Sequence, residues 1–217
     1  MSSRRVVVTG LGPISPVGNS VDEGWQNVLA GRSGITAITR FDASAFSCRI
    51  AGEVKGFKVE DWFSAKDARH MDTFIHFGLA ASIQAIRDAG LPTNDQLSQE
   101  QAERIGCIVS SGIGGLPMIE ETKAELTARG PRRVTPFFVP ASIINMISGH
   151  VSIMFGFEGP NLAGGCLAAV GPALAVARWI RSLAVSGGTV GIPVTPIVTI
   201  TVLALRLGVA VVLARCR

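Results

Sequence analysis

The chain has 217 residues, 47% of them apolar, 17% charged and 6% aromatic, with no tyrosine and a net charge of +4. That length holds one large domain or one and a half ordinary ones, with room for a core of useful size. The basic excess is too small to imply nucleic acid and the aromatic content too low for a base-stacking platform, but the charge suits an acidic partner.

The strand-forming run Arg4–Thr9 predicts a buried strand closed by Gly10 and Gly12. Asp22 to Ala30 predicts a helix, with Asp22 as N-cap and Gly31 as the stop. Residues 35–63 read as loop and short strand. Met71, Phe74, Ile75, Leu79, Ile83 and Ile86 recur at helical spacing, which predicts one long helix over Ala65–Ala89 ended by Gly90. A polar connection, Leu91–Gln99, leads to a second buried strand, Arg104–Ser110. SSGIGG follows, then a helix from about Leu116 to Ala128, an irregular arm (GPRRVTPFFVP), and a helix over Ala141–Phe155 closed by Gly156. Strands and helices in alternation predict an α/β fold, with a parallel or mixed sheet carrying helices on its faces.

Two glycine stretches invite a ligand. In VVVTGLGPIS a strand runs into GxG, as at a dinucleotide site, but Ser15 stands where the third glycine should let a helix approach. A tight turn after the strand is the simpler expectation. SSGIGG could cradle a phosphate at a helix start, yet no Lys-Ser/Thr pair follows, so a close-packing glycine turn is favoured. Cys48, Cys107, Cys166 and Cys216 form no CxxC pair and have no histidine at ligand spacing, which argues against a zinc site. MSSRRVVVTG lacks the apolar core of a signal peptide, so a cytoplasmic setting with free thiols is expected.

RRVVVTGLGPISPVGN, LAGRSGI, KDARHMDTFIHFGLAAS, SSGIGG, GPRRVTPFFVPASIINMISGH and GFEGPN occur in this order over residues 4–163. Together they resemble the N-terminal half of the β-ketoacyl-[acyl-carrier-protein] synthases, the type II condensing enzymes of fatty-acid synthesis. The resemblance implies a thiolase-like fold, here the first half of a duplicated α-β-α-β-α architecture, and a homodimer. It implies that a cysteine at a strand-to-helix turn takes the acyl chain as a thioester, after which malonyl-carrier protein loses CO2 and condenses with it. It implies no metal and no cofactor. Cys166 is the position matching the nucleophile, two residues having been lost after Asn161, because Ala177-Arg178 keep the family's distance to it. A helix N-terminus would lower that thiol's pKa and a backbone N–H would face the oxyanion. Ile113 matches a residue lining the acyl pocket, and Phe138 one reaching that pocket across the dimer. Lys66, Arg69, Arg132 and Arg133 match basic positions that meet the acidic acyl carrier protein; the alternative is a solvated basic face. His70, His76 and His150 match no catalytic position.

The resemblance weakens after residue 163, so 1–163 reads as a ketosynthase half-domain and 164–217 as a degraded turn region and an atypical apolar tail. Gly164-Gly165 replaces Thr-Ala, Ala169 replaces a glycine, and Pro172 falls inside the helix that should carry the thiol. From Gly164 onward there is no Asp, Glu, Lys, Asn, Gln, His, Phe or Met. Three readings of the tail stand: a membrane anchor interrupted by Arg206, a buried strand pair, and a shifted reading frame in a GC-rich gene, which is the one favoured. A membrane role is not expected. Little or no condensation is expected from such a chain alone, and the alternative function is a non-catalytic half-synthase that docks on a partner or binds carrier protein.

Overall fold

A computed structural model describes residues 6–164, 198–205 and 208–216. Its elements are β1 (Val6–Ile14), α1 (Val21–Leu29), β2 (Ile35–Ala37), β3 (Ile50–Gly52), α2 (Ala65–Ala68), α3 (Thr73–Asp88), α4 (Gln99–Glu103), β4 (Ile105–Val109), α5 (Leu116–Arg129), α6 (Phe138–Ser142), α7 (Met146–Phe155), β5 (Asn161–Leu162), β6 (Val198–Leu205) and β7 (Gly208–Cys216).

The main sheet has the order β1-β7-β6-β4-β5, and β2 and β3 form a separate antiparallel pair. Strand β4 runs parallel to both β5 and β6, whereas β7 is antiparallel to β6 and β1. The sheet is therefore mixed. Helix α3 lies over β1, β7 and β6, and α7 lies beside it over β4 and β5. The two helices cross where Gly78 meets the side chain of Ile147, which a Cβ at residue 78 would approach to 2.8 Å. Between sheet and helices sits the core: Ile14, Ile75, Leu79, Ile86, Val109 and Val151 are all fully or almost fully out of water. Each such side chain contributes roughly 1.5–3 kcal/mol through burial.

Strand β1 departs from expectation in an informative way. It does not end at Gly10 and Gly12 but runs through them to Ile14. A Cβ on either glycine would collide with α3, at the carbonyl of Ala85 or of Ala81. The glycines are there so that strand and helix backbones can touch, not to make a turn. The expected burial fails over the predicted run, where Val7 and Val8 are exposed and Thr9 is only partly buried; the buried positions of the strand, Gly10, Gly12 and Ile14, lie beyond it, against α3.

Helix ends differ from their predicted places for local reasons. Ser20, not Asp22, caps α1, its hydroxyl accepting the Glu23 amide at 3.2 Å. The expected helix over 65–89 is two helices, because Asp72 takes an extended backbone (ψ 162°) and starts α3 afresh. The helix expected from Ala141 likewise breaks at Ile143 (ψ 140°), so α6 ends at Ser142 and α7 begins at Met146. Gly156 closes α7 in the left-handed region (φ 70°), as its position suggested. The short α4 was not foreseen; Ser98 and Gln101 cap it reciprocally.

In the tail the structure places two adjacent antiparallel strands, β6 and β7. Strands β6 and β7 are central in the sheet, between β4 and β1. Among the described residues no helix is long and apolar enough to cross a membrane.

Candidate functional site

The C-terminal ends of parallel strands are where open α/β sheets place their sites. Here those ends belong to β4, β5 and β6, with β4 and β5 paired through Cys107 with Asn161 and Ile108 with Leu162. Beyond β4 comes the turn Ser110–Gly115, and beyond β5 the chain reaches Gly164, whose N–H donates to Ser110 Oγ at 3.2 Å. Asn161 fixes this approach by donating its amide to Ser148 O (3.0 Å) and Ser152 Oγ (2.6 Å) on α7. The chain is thus delivered to the rim of the SSGIGG turn two residues before Cys166. Cys166 itself, with Pro172, Ala177 and Arg178, lies outside the described residues.

The turn is built from glycine because the chain bends into conformations and contacts that a side chain would block. Gly114 has φ 90°, open to glycine and strained for any other residue. Gly115 lies so close to Ser142 that its N–H donates to the Ser142 carbonyl at 2.9 Å. Pro117 sits in the first turn of α5, where no backbone donor is needed. The third amide of the helix, Met118 N–H, donates to Asp72 Oδ2 at 2.9 Å. These bonds decide against a phosphate cradle: two amides at the helix start are already used, one of them by a carboxylate that would repel an anion. The turn packs chains closely, as the simpler reading of SSGIGG held.

The two expected pocket residues are brought into one assembly. Ile113 stands out from the turn with 69% of its surface exposed. Phe138, half-buried, opens α6. Ser142 ties the two segments, accepting from Gly115 N–H with its carbonyl and donating its hydroxyl to Phe138 O at 2.6 Å.

The basic residues come from two segments. Lys66 lies on α2 and Arg69 just after it, while Arg132 and Arg133 lie in a turn of 3₁₀ helix, Pro131–Arg133. All four are exposed and none forms an ion pair with another described residue. The His70 ring stacks on Phe137 at 3.8 Å and joins the two segments.

The other histidines are engaged in packing. His76 Nε2 lies 3.0 Å from Ala68 O, and its ring stacks on Phe63. Burial holds the half-buried His150 below the ordinary imidazole value, with the Asp67 carboxylate pulling the other way. Cys107 is no rival nucleophile: burial pushes its thiol up to about 11, against a hydrogen bond from Ser152 that lowers it. An open apolar groove of about 560 Å³, lined by Leu11, Val21, Trp25 and Val28 among others, lies between β1 and α1 and holds no titratable side chain. It is not a reaction centre.

Asp72, Ser142 and Asn161 were missed in the sequence. Asp72 carried a signal, an Asp just before an apolar helical run, but the periodicity running through it hid the boundary.

The model of the β-ketoacyl synthase N-terminal domain matches residues 3–201. The chain belongs to the β-ketoacyl synthase family. It is 56% identical over 163 residues to 3-oxoacyl-[acyl-carrier-protein] synthase 2 of Vibrio cholerae, an alignment covering 75% of this chain and 38% of that one. The synthase of the same name from Coxiella burnetii is 46% identical over 163 residues, again with 38% of its length covered. The chain therefore spans less than half the length of the curated relatives it matches. Among solved structures, the ishigamide ketosynthase/chain length factor superposes with a TM-score of 0.69 at 23% identity, over 99% of this chain and 59% of that one. A type II polyketide ketosynthase solved with its acyl-carrier protein gives 0.70 at 19% identity, over 100% and 63%. At such identities the likeness is one of fold, and it agrees with the thiolase-like synthase fold expected from the sequence.

Proposed function

We propose that this β-ketoacyl synthase chain supplies the acyl-accepting half of a condensing site. The observation that carries the reading is the family match through residue 201, together with the turn that holds Ile113 and the chain that leads to Cys166 at one sheet end. In this reading the Cys166 thiolate attacks the acyl carbonyl, the new C–S bond forms, and the carrier thiol leaves with a proton. Malonyl-carrier protein then loses CO2 by cleavage of a C–C bond, and the carbanion attacks the thioester, releasing the Cys166 thiolate. Ile113 and Phe138 line the acyl chain, Phe138 from a second copy in a homodimer. Lys66, Arg69, Arg132 and Arg133 form the docking face for an acidic carrier protein, and the setting is cytoplasmic.

The bond network supports a pocket rim, since Ser142 locks the Ile113 turn to the Phe138 helix. The stack of His70 on Phe137 supports one basic face rather than two separate patches. His70 lies between α2 and α3, His76 on α3 and His150 on α7, and the resemblance gives none of them a catalytic position. Acyl transfer without appreciable condensation is the activity this reading expects of the chain alone.

The test is to incubate the full chain with an octanoyl thioester and weigh it intact, with Cys166→Ala as control. One octanoyl adduct, absent from the variant, is expected. An unmodified mass would remove acyl transfer and leave the half-synthase as a non-catalytic partner. An adduct retained in the variant would move the nucleophile elsewhere.

A further inference from the structure

Asp72 sits at the N-cap position of α3, yet its side chain makes no capping bond to that helix. Its carboxylate reaches instead to α5, where Oδ2 accepts the Met118 amide at 2.9 Å, 46 residues further along the chain. Helix α5 has no cap of its own: its N-cap is Gly115, without a side chain, and its first turn has no acidic residue. The side chain of Asp72 is inserted closely enough that a Cβ on Gly115 would stand 3.0 Å from Oδ2. Only 6% of Asp72 is exposed, so the bond is sheltered from competing water. The partial positive charge at the start of both α3 and α5 falls on this one carboxylate.

The position of this residue in the chain gives the bond its meaning. Asp72 follows Arg69 by three residues in the break between α2 and α3, and the turn it holds carries Ile113. We propose that Asp72 is the positioning residue of the 112–115 turn, fixing Ile113 at the pocket rim and tying that rim to the basic segment Lys66–Arg69. The functional weight of this tie rests on the reading of Ile113 as an acyl-pocket residue. The loss of the carboxylate leaves the α5 start uncapped and frees the turn, while the core under α3 is untouched. Asparagine keeps an oxygen that accepts the same amide; alanine does not.

Hydrogen exchange on the full chain tests this. In Asp72→Ala, amides over 112–119 are expected to exchange about tenfold faster, the scale of one lost hydrogen bond to a charged group, with exchange over Leu79–Ile86 unchanged. Asp72→Asn is expected to restore most of the protection, which a general loss of stability would not allow. Unchanged exchange over 112–119 in Asp72→Ala, equal acceleration in the α3 core, or failure of Asp72→Asn to restore protection would each overturn the proposal. Should Asp72→Ala not fold, Asp72→Ser takes its place, since its hydroxyl is one bond shorter than the carboxylate that reaches Met118 N–H: selective acceleration over 112–119 supports the tie, and unchanged exchange there overturns it. The pocket reading is checked separately by treating the unsubstituted chain with an octanoyl thioester. Extra protection at 112–115 on acylation is expected; its absence, with the Asp72 pattern intact, would sink the pocket role of Ile113 and leave Asp72 as the anchor of the turn.

Discussion

Single residues show how little a type or a motif says before its neighbours are known. Two glycines in GLG, spaced as at a dinucleotide site, turn out to face the carbonyls of a helix. His150, one of three histidines with no role in the proposed chemistry, carries a pH dependence instead. Burial disfavours its charged form, so its folded pKa lies below the ordinary 6.5. The unfolded chain then binds the proton more readily, and stability present above that value is lost as pH falls below it. Replacing His150 with Gln is expected to narrow the difference in Tm between about pH 7.5 and about pH 5.5. A difference as large as that of the unsubstituted chain would assign the acid sensitivity to other groups.

At the scale of elements, the contact of β1 with α3 decides the packing of this half of the sheet. Both backbones meet with no side chain between them, which holds only while residues 10 and 12 lack a Cβ. In Gly12→Ala the new methyl would stand 2.7 Å from Ala85 N as well as against the Ala81 carbonyl. Strand and helix would have to separate, a change of the overpacking kind that costs about 1–3 kcal/mol. Thermal unfolding should register it as a Tm lower by roughly 5 °C. An unshifted Tm would mean that β1 can slide off α3 at no cost. The same scale explains the helix breaks. Periodicity alone favoured continuous helices across Asp72 and across Ile143, because the apolar spacing persists through both. At each break the backbone turns extended, and beside it lies a bond to a distant segment, Asp72 to Met118 and Ser142 to Gly115; such partners are not visible in a local window of sequence.

For the whole molecule, the arrangement of charge matters more than its sum. A net +4 would mean little if spread evenly. Four exposed cations lie on two segments linked by the His70–Phe137 stack, and the proposed reading makes of them one directed patch. The double substitution Arg132→Glu, Arg133→Glu is expected to weaken binding of an acidic acyl carrier protein about tenfold or more at low salt, with the difference fading as ionic strength rises. Titration at two salt concentrations measures it. Equal binding by both forms would return these residues to the alternative of a solvated basic face. The sheet also crosses the break in composition at residue 163. Strands β1 and β4 come from the charged, family-like part and β6 and β7 from the apolar tail, and all four share one hydrogen-bonded ladder.

The sequence by itself determined the elements whose signal is local. The β4 run of apolar residues, α5 after its glycine turn, and the stop of α7 at Gly156 were all legible, as was the family, because many short motifs stood in one order. The candidate pocket and docking residues rest on resemblance alone. Tertiary structure alone decided where β1 ends, which helices break, and what the glycines of SSGIGG touch. Those outcomes depend on atoms brought together from distant parts of the chain. A backbone amide is satisfied by whichever carbonyl or carboxylate the fold delivers to it, and the order of residues along the chain does not reveal that partner.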